Sequence, residues 1–307
     1  MNIRYIFANL FFLLSFSSVM TSCKEDDLGD VESISGLNGP LPVQGPIDKW
    51  ILDSLTTPYN IGVNYKWDQF EFSDISKTLV PPKEELVIPF SRFVRKAWIN
   101  PYVEEAGLVF FNKYSPKLFV LSGSVQYLSN GAVVLGQAEG GRKIVIFDVN
   151  NFKIKGIPGY VAGRDSSVVK ETVRTLQHEF GHILHQNIMY PVEFKRVSEG
   201  LFQGENWINI SDRQALADGF VTPYASSKYD DDFVDTIAIL LTEGRDGYTR
   251  LVNSIREGDS LNGTSVADAK AKLRRKEALV VNYFKTAWGI DFYKLQTKCR
   301  AEYVKLI

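Results

Sequence analysis

The chain has 307 residues, with 35 Lys and Arg against 36 Asp and Glu and a formal net charge of −1. Both signs are dispersed along it, which gives no electrostatic case for nucleic acid as a partner. It holds only two cysteines and three histidines, so disulfide frameworks and histidine-rich metal sites are excluded from the start.

The opening segment, MNIRYIFANLFFLLSFSSVMTSC, carries Arg4, an apolar run from Ile6 to Val19 and small residues ahead of Cys23. A permanent membrane helix needs about 20 apolar residues. The shorter run here has the three-part layout of a secretory signal. Cys23 resembles the acceptor of a bacterial lipoprotein signal, with Met20 a looser match than leucine. The expectation is a signal peptide over 1–22, lipidation at Cys23 and an outer-membrane lipid anchor; an ordinary cleaved signal that leaves Cys23 free is the alternative. KEDDLGD and a stretch rich in Gly, Pro and Ser follow, too poor in large apolar groups to offset ordering entropy, so residues 23–45 read as a flexible tether. The acidic cluster Glu25, Asp26 and Asp27 resembles the signal that sends lipoproteins of the Bacteroidota to the cell surface, although a solvated spacer would carry the same charge. With Cys23 lipidated, Cys299 has no partner and the exported protein does without disulfides.

From residue 46 to 307 the pattern is that of a folded domain, about 260 residues that suffice for one large domain or two small ones, and one is expected. PIDKWILDSLTTPYN predicts an amphipathic helix ending near Thr56, and IGVNYKW alternates like a half-buried strand. A second helix is expected in PPKEELVIPFSRFVRKAWINPYVEEAG, kinked or divided at Pro89 and Pro101. KLFVLSGS, GAVVLG and KIVIFDV read as three strands. A helix runs from about Ser167 to Asn187, another lies in KYDDDFVDTIAILLT, and the remainder from Gly244 is mainly helical.

The Ser167–Asn187 helix contains every histidine of the chain, in TLQHEFGHILHQN. Val169, Val173, Leu176, Phe180 and Ile183 step by four and three, one face of a helix, and the histidines fall near the opposite side. His178 and His182 stand four apart and can point two nitrogens at one ion. Glu179 can reach a water beside that ion without joining its ligands, as HExxH chemistry requires of a general base. His185 lies a turn beyond His182 and reads as a supporting or substrate-facing group, or as a surface histidine.

A catalytic zinc takes three protein ligands and keeps a position open. No further histidine exists and Ile188 occupies the metzincin position, so the third ligand is a carboxylate. Asp231, opening the second amphipathic helix, is the choice, with Asp235 one turn later able to accept a hydrogen bond from a ligand imidazole. Glu199 is the rival ligand.

HEFGHILHQ followed by DGFVTPYASSKYDDDFVD resembles the import-associated zinc metallohydrolase lipoproteins that accompany SusC/SusD-like nutrient importers, a family of zinc-binding metallopeptidases. The resemblance extends from the lipoprotein signal and DKWILDSLTTPYNI to the second helix. It implies an α+β, zincin-like domain with a small mixed sheet, an HExxH helix and a mainly helical C-terminal part, bound Zn2+, a peptide or protein substrate, and importer components as partners at the cell surface. The layout also looks like the gluzincin arrangement of anthrax lethal factor, in which a tyrosine and, seven residues later, a glutamate ligand follow HEFGH. That pattern falls on Tyr224, which would donate to an oxyanion, and on Asp231. Aspartate is one methylene shorter than glutamate, so its helix must come closer, or Asp230 or Asp232 must take its place.

Three functions are open at this point. A zinc peptidase uses Glu179 as base. A non-catalytic binding or accessory lipoprotein would hold a structural or vestigial metal. A hydrolase of non-peptide bonds keeps the same zinc chemistry.

Overall fold

The computed structural model describes residues 45–72, 79–128, 131, 133–139 and 142–307, so the expected signal, Cys23 and all of the tether before Gly45 lie outside the described residues. Helix α1 (Pro46–Ile51) runs on through a π-helical turn, Leu52–Thr56, and three more helical residues, Thr57–Tyr59. Asn60 ends it in left-handed backbone, a conformation its short polar side chain tolerates. Strand β1 (Gly62–Asn64) follows.

Helix α2 (Glu84–Val94) keeps Pro89 inside it. A π-helical turn, Arg95–Ile99, then leads into α3 (Asn100–Ala106), where Pro101 occupies the first turn. Asn100 still donates its N–H to the Arg95 carbonyl, and Pro101, which has no N–H to donate, falls directly after the π-helical turn. Gly107, at φ 86°, sets off α4 (Leu108–Tyr114).

The main sheet joins β1, β2 (Leu118–Leu121), β5 (Gly136–Glu139) and β6 (Lys143–Ile146) in the order β1-β2-β6-β5. Its first three strands are parallel, and β5 runs antiparallel to β6 with Ala138 opposite Ile144. A separate antiparallel pair is formed by β3 (Gln126–Tyr127) and β4 (Val133–Val134). After Lys143, the run 144–147 is apolar because it is interior: Ile144 and Ile146 enter the main core, while Val145 and Phe147 pack with Leu79 and Val120 on the other face. GAVVLG divides between β4 and the start of β5 rather than forming one strand.

The histidine helix, α5 (Arg164–Asn187), begins three residues before the expected start. Its apolar stripe is buried as expected, but its histidine side is covered too, against α8 (Tyr229–Asn253) and the edge strand β5. Between α5 and α8 lie the short α6 (Val192–Val197) and α7 (Asp212–Ala217). Helix α8 is broken at Gly244, whose φ of 70° and ψ of 178° are non-helical. Helices α9 (Val266–Trp288) and α10 (Phe292–Leu306) complete the helical C-terminal part, both packed on α8.

Two glycines set how close the neighbours of α5 come. A Cβ on Gly136 of β5 would lie 2.1 Å from Thr175 Cγ2, and one on Gly181 of α5 would lie 2.9 Å from Val234 Cγ1 of α8. Without side chains, these residues let the edge strand and α8 approach α5 from two sides.

Candidate metal centre

Helix periodicity places His178 and His182 one turn apart, and the Gly181–Val234 contact brings α8 to them. Their Nε2 atoms are 3.1 Å apart. Asp231 Oδ1 lies 3.3 Å from His182 Nε2 and 3.9 Å from His178 Nε2. Donors bound tetrahedrally to zinc at ordinary bond lengths are separated by about 3.3 Å. Three donors thus converge at spacings close to one face of a zinc tetrahedron, and the residues fit the ion that HExxH implies.

The outer hydrogen bonds fix which nitrogens are free. His178 Nδ1 is 2.9 Å from Asp235 Oδ1, and a carboxylate only accepts, so Nδ1 carries the proton and Nε2 presents its lone pair. Thr222 Oγ1 donates to the other oxygen of Asp235 and accepts from the Ala225 N–H, which holds the carboxylate in place. His182 Nδ1 meets His185 Nε2 at 2.9 Å. Burial, and then the neighbouring His182, push the His185 pKa down to about 4. With Nε2 of His182 turned to the other donors, its Nδ1 is the nitrogen left to donate to His185 Nε2. His185 is buried behind His182 and not substrate-facing, with Nδ1 lacking an acceptor.

The surroundings favour positive charge at this point. Burial disfavours protonation of His178, but the hydrogen bond and charge of Asp235, with Glu179 and Asp231 beyond, outweigh it and raise its pKa. Burial also works against ionised Asp231 and Asp235. The close approach of His182 Nε2 and the hydrogen bond donated by Ser227 at Asp231, and the hydrogen bond donated by His178 to Asp235, reverse that and lower both. The centre therefore offers one carboxylate and two imidazoles to a cation, with a second carboxylate, Asp235, behind His178.

The other acidic residues are engaged elsewhere. Tyr190 donates to Asp230 Oδ1 at 2.5 Å, and the buried Lys276 donates to Asp232 Oδ1 at 2.8 Å. Neither joins the donor group that His178, His182 and Asp231 form. Glu199 is exposed and does not join the donor group.

Glu179 projects beside the donors, and its Oε2 accepts from the Ala138 N–H of β5 at 2.7 Å. Among the described strands β1 and β5 are the edges of this sheet and β6 is interior, so the KIVIF segment offers no edge to a peptide. His178, Glu179 and Tyr224 border a cleft of about 240 Å³ that Leu135, Trp207 and Arg174 also line. Tyr224 sits on a 3-10 turn, Tyr224–Ser226, with its ring edge-on to Trp207 at 5.0 Å and 5.7 Å from the His178 ring. Burial, then the charges of Asp231 and Glu179, raise its pKa and keep the phenol protonated. Gly136, Gly181, Thr222, Trp207 and Arg174 also shape the site, and none of them belongs to the HExxH pattern's chemical residues. Of these, only Gly181 and Thr222 carried a local signal, one inside HEFGH and the other just ahead of Pro223 and Tyr224.

The family model described as "Putative zinc-binding metallo-peptidase" matches residues 42–293. A crystal structure described as that of a "putative zinc-binding metallo-peptidase" from Bacteroides caccae is 28% identical and superposes with a TM-score of 0.66, over 84% of this chain and 91% of the other. A search of curated proteins returned no match. The converging donors, the oriented imidazoles and a match over most of the chain lead to one conclusion: this chain belongs to the zinc-binding metallo-peptidase family.

Proposed function

We propose that this protein is a zinc-dependent peptidase, with His178, His182 and Asp231 holding the ion and Glu179 acting as general base. The observation that carries the reading is the position of Glu179, anchored through one oxygen by the edge strand beside three convergent donors and bordering an open cleft. A structural metal site has no use for a carboxylate there. When bound, zinc supplies Lewis acidity that polarises a carbonyl and makes water acidic near neutral pH.

The protein's own groups account for the rest. The Ala138 N–H fixes Glu179 and leaves its other oxygen to take a proton and return it to a leaving amine. Asp235 and His185 hold the two imidazoles in the tautomer that presents Nε2. Tyr224, kept protonated, is the hydroxyl donor for a developing oxyanion. Gly136 of the edge strand β5 lines the cleft and puts sheet backbone beside the path of an extended peptide. We place the enzyme on a Cys23 lipid anchor at the outer-membrane surface, serving a SusC/SusD-like importer; the N-terminal sequence and the resemblance support this placement.

Metal content by mass spectrometry on protein starting after Cys23, followed by peptide hydrolysis, tests the assignment. The unaltered chain and Glu199→Ala should carry about one zinc, Asp231→Ala should lose it, and Glu179→Gln should keep it while losing hydrolysis. A zinc-loaded protein that cleaves no peptide would favour the binding-lipoprotein alternative.

A further inference from the structure

We propose that Arg174 recognises a carboxylate of the substrate beside the metal centre, which makes the cleft selective for peptides carrying an acidic group next to the bond cleaved. The inference rests on the peptidase reading and extends it to a substrate class. Arg174 precedes His178 by one helical turn, about 6 Å along the axis, and lines the same cleft. An extended chain advances about 3.5 Å per residue, so a group that distance from the ion belongs to a residue one or two positions from the reacting carbonyl.

The guanidinium is only partly used by the protein. Both oxygens of Glu171 meet its Nη1, at 2.9 and 3.0 Å, while its buried Nε has no acceptor. Guanidinium has five N–H donors in a planar fork suited to a carboxylate. Arg174 is largely buried, with 22% of its side chain accessible, but its partner Glu171 keeps 45% and can give way to water when a substrate carboxylate takes its place. Of the other charged groups acting on Arg174, Asp235 is already committed to His178 and Thr222, and Glu243 pairs with Lys170. The remaining cleft wall at Leu128, Val133, Val134, Leu135 and Trp207 is largely apolar. Arg174 is then the cation in that wall.

A terminal α-carboxylate and an acidic side chain share this chemistry, and three probes separate them. Each is a malonyl hydroxamate joined to one amino acid: glutamine with a free carboxylate, glutamate amide, or neutral glutamine amide. Calorimetric titration of the zinc-loaded chain after Cys23 should show one charged probe binding about tenfold or more tightly than the neutral one. A preference for the free acid marks a terminal carboxylate, and a preference for glutamate amide marks a side chain. The ratio should fall to near one in Arg174→Gln and rise in Glu171→Gln. Equal binding of all three by the unaltered chain, or a ratio unchanged in Arg174→Gln, overturns the role of Arg174 alone. Failure of even the neutral probe to bind overturns the metal-site reading along with it.

Discussion

Substituting Gly181 by alanine tests whether helix approach builds the metal centre. The added Cβ would stand 2.9 Å from Val234 Cγ1 and 3.0 Å from Val234 Cβ. Carbon atoms settle near 3.5–4.0 Å, so relief needs a movement of about 0.5 Å or more between α5 and α8. Val234 lies between Asp231 and Asp235, and both carboxylates move with it. Ligand distances tolerate about 0.2 Å. We expect zinc affinity to fall by about 10–100-fold, the range seen when supports of a metal ligand are lost. Stability should change much less, because overpacking at about 1–3 kcal/mol is offset by the helix preference of alanine over glycine, about 1 kcal/mol. Competition with a chromophoric chelator measures the first quantity and urea unfolding of zinc-free protein the second. Adding Val234→Ala should restore most of the affinity. Unchanged affinity in Gly181→Ala, or no recovery in the double variant, refutes the reasoning.

Two further predictions concern the supports of the site. Lys276→Met leaves Asp232 buried without its cation, immediately beside Asp231, and should cost about 3–5 kcal/mol in urea unfolding; a loss below about 1 kcal/mol would mean that Asp232 finds another partner. Asp165, at the start of α5, has its pKa lowered to about 2 by hydrogen bonds from Arg164 and the Val161 N–H. Its stabilisation is therefore complete above the unfolded value near 3.8 and lost as pH falls toward 2. Asp165→Asn should flatten that part of the acid-unfolding curve, and an unaltered curve would show that the pair contributes nothing.

Local pattern alone determined the histidine helix, because its stripe from Val169 to Ile183 and the HExxH spacing are both written in steps of three and four. The α+β class was legible for the same reason, since strands and helices have different apolar periods. Spacing along one helix says nothing about what packs on it. Whether Asp231, Asp230, Asp232 or Glu199 faced the histidines depended on a contact between residues 181 and 234, and only the folded chain brings those together. The apolar stripe showed which side of α5 is buried in the core but not that α8 and β5 cover the other side. The pairing of His185 with His182, the hold of the edge strand on Glu179 and the half-used guanidinium of Arg174 are likewise set by tertiary packing. Sequence fixes residue types and their local repeat, whereas the donor set of a metal site depends on distances across elements far apart in the chain.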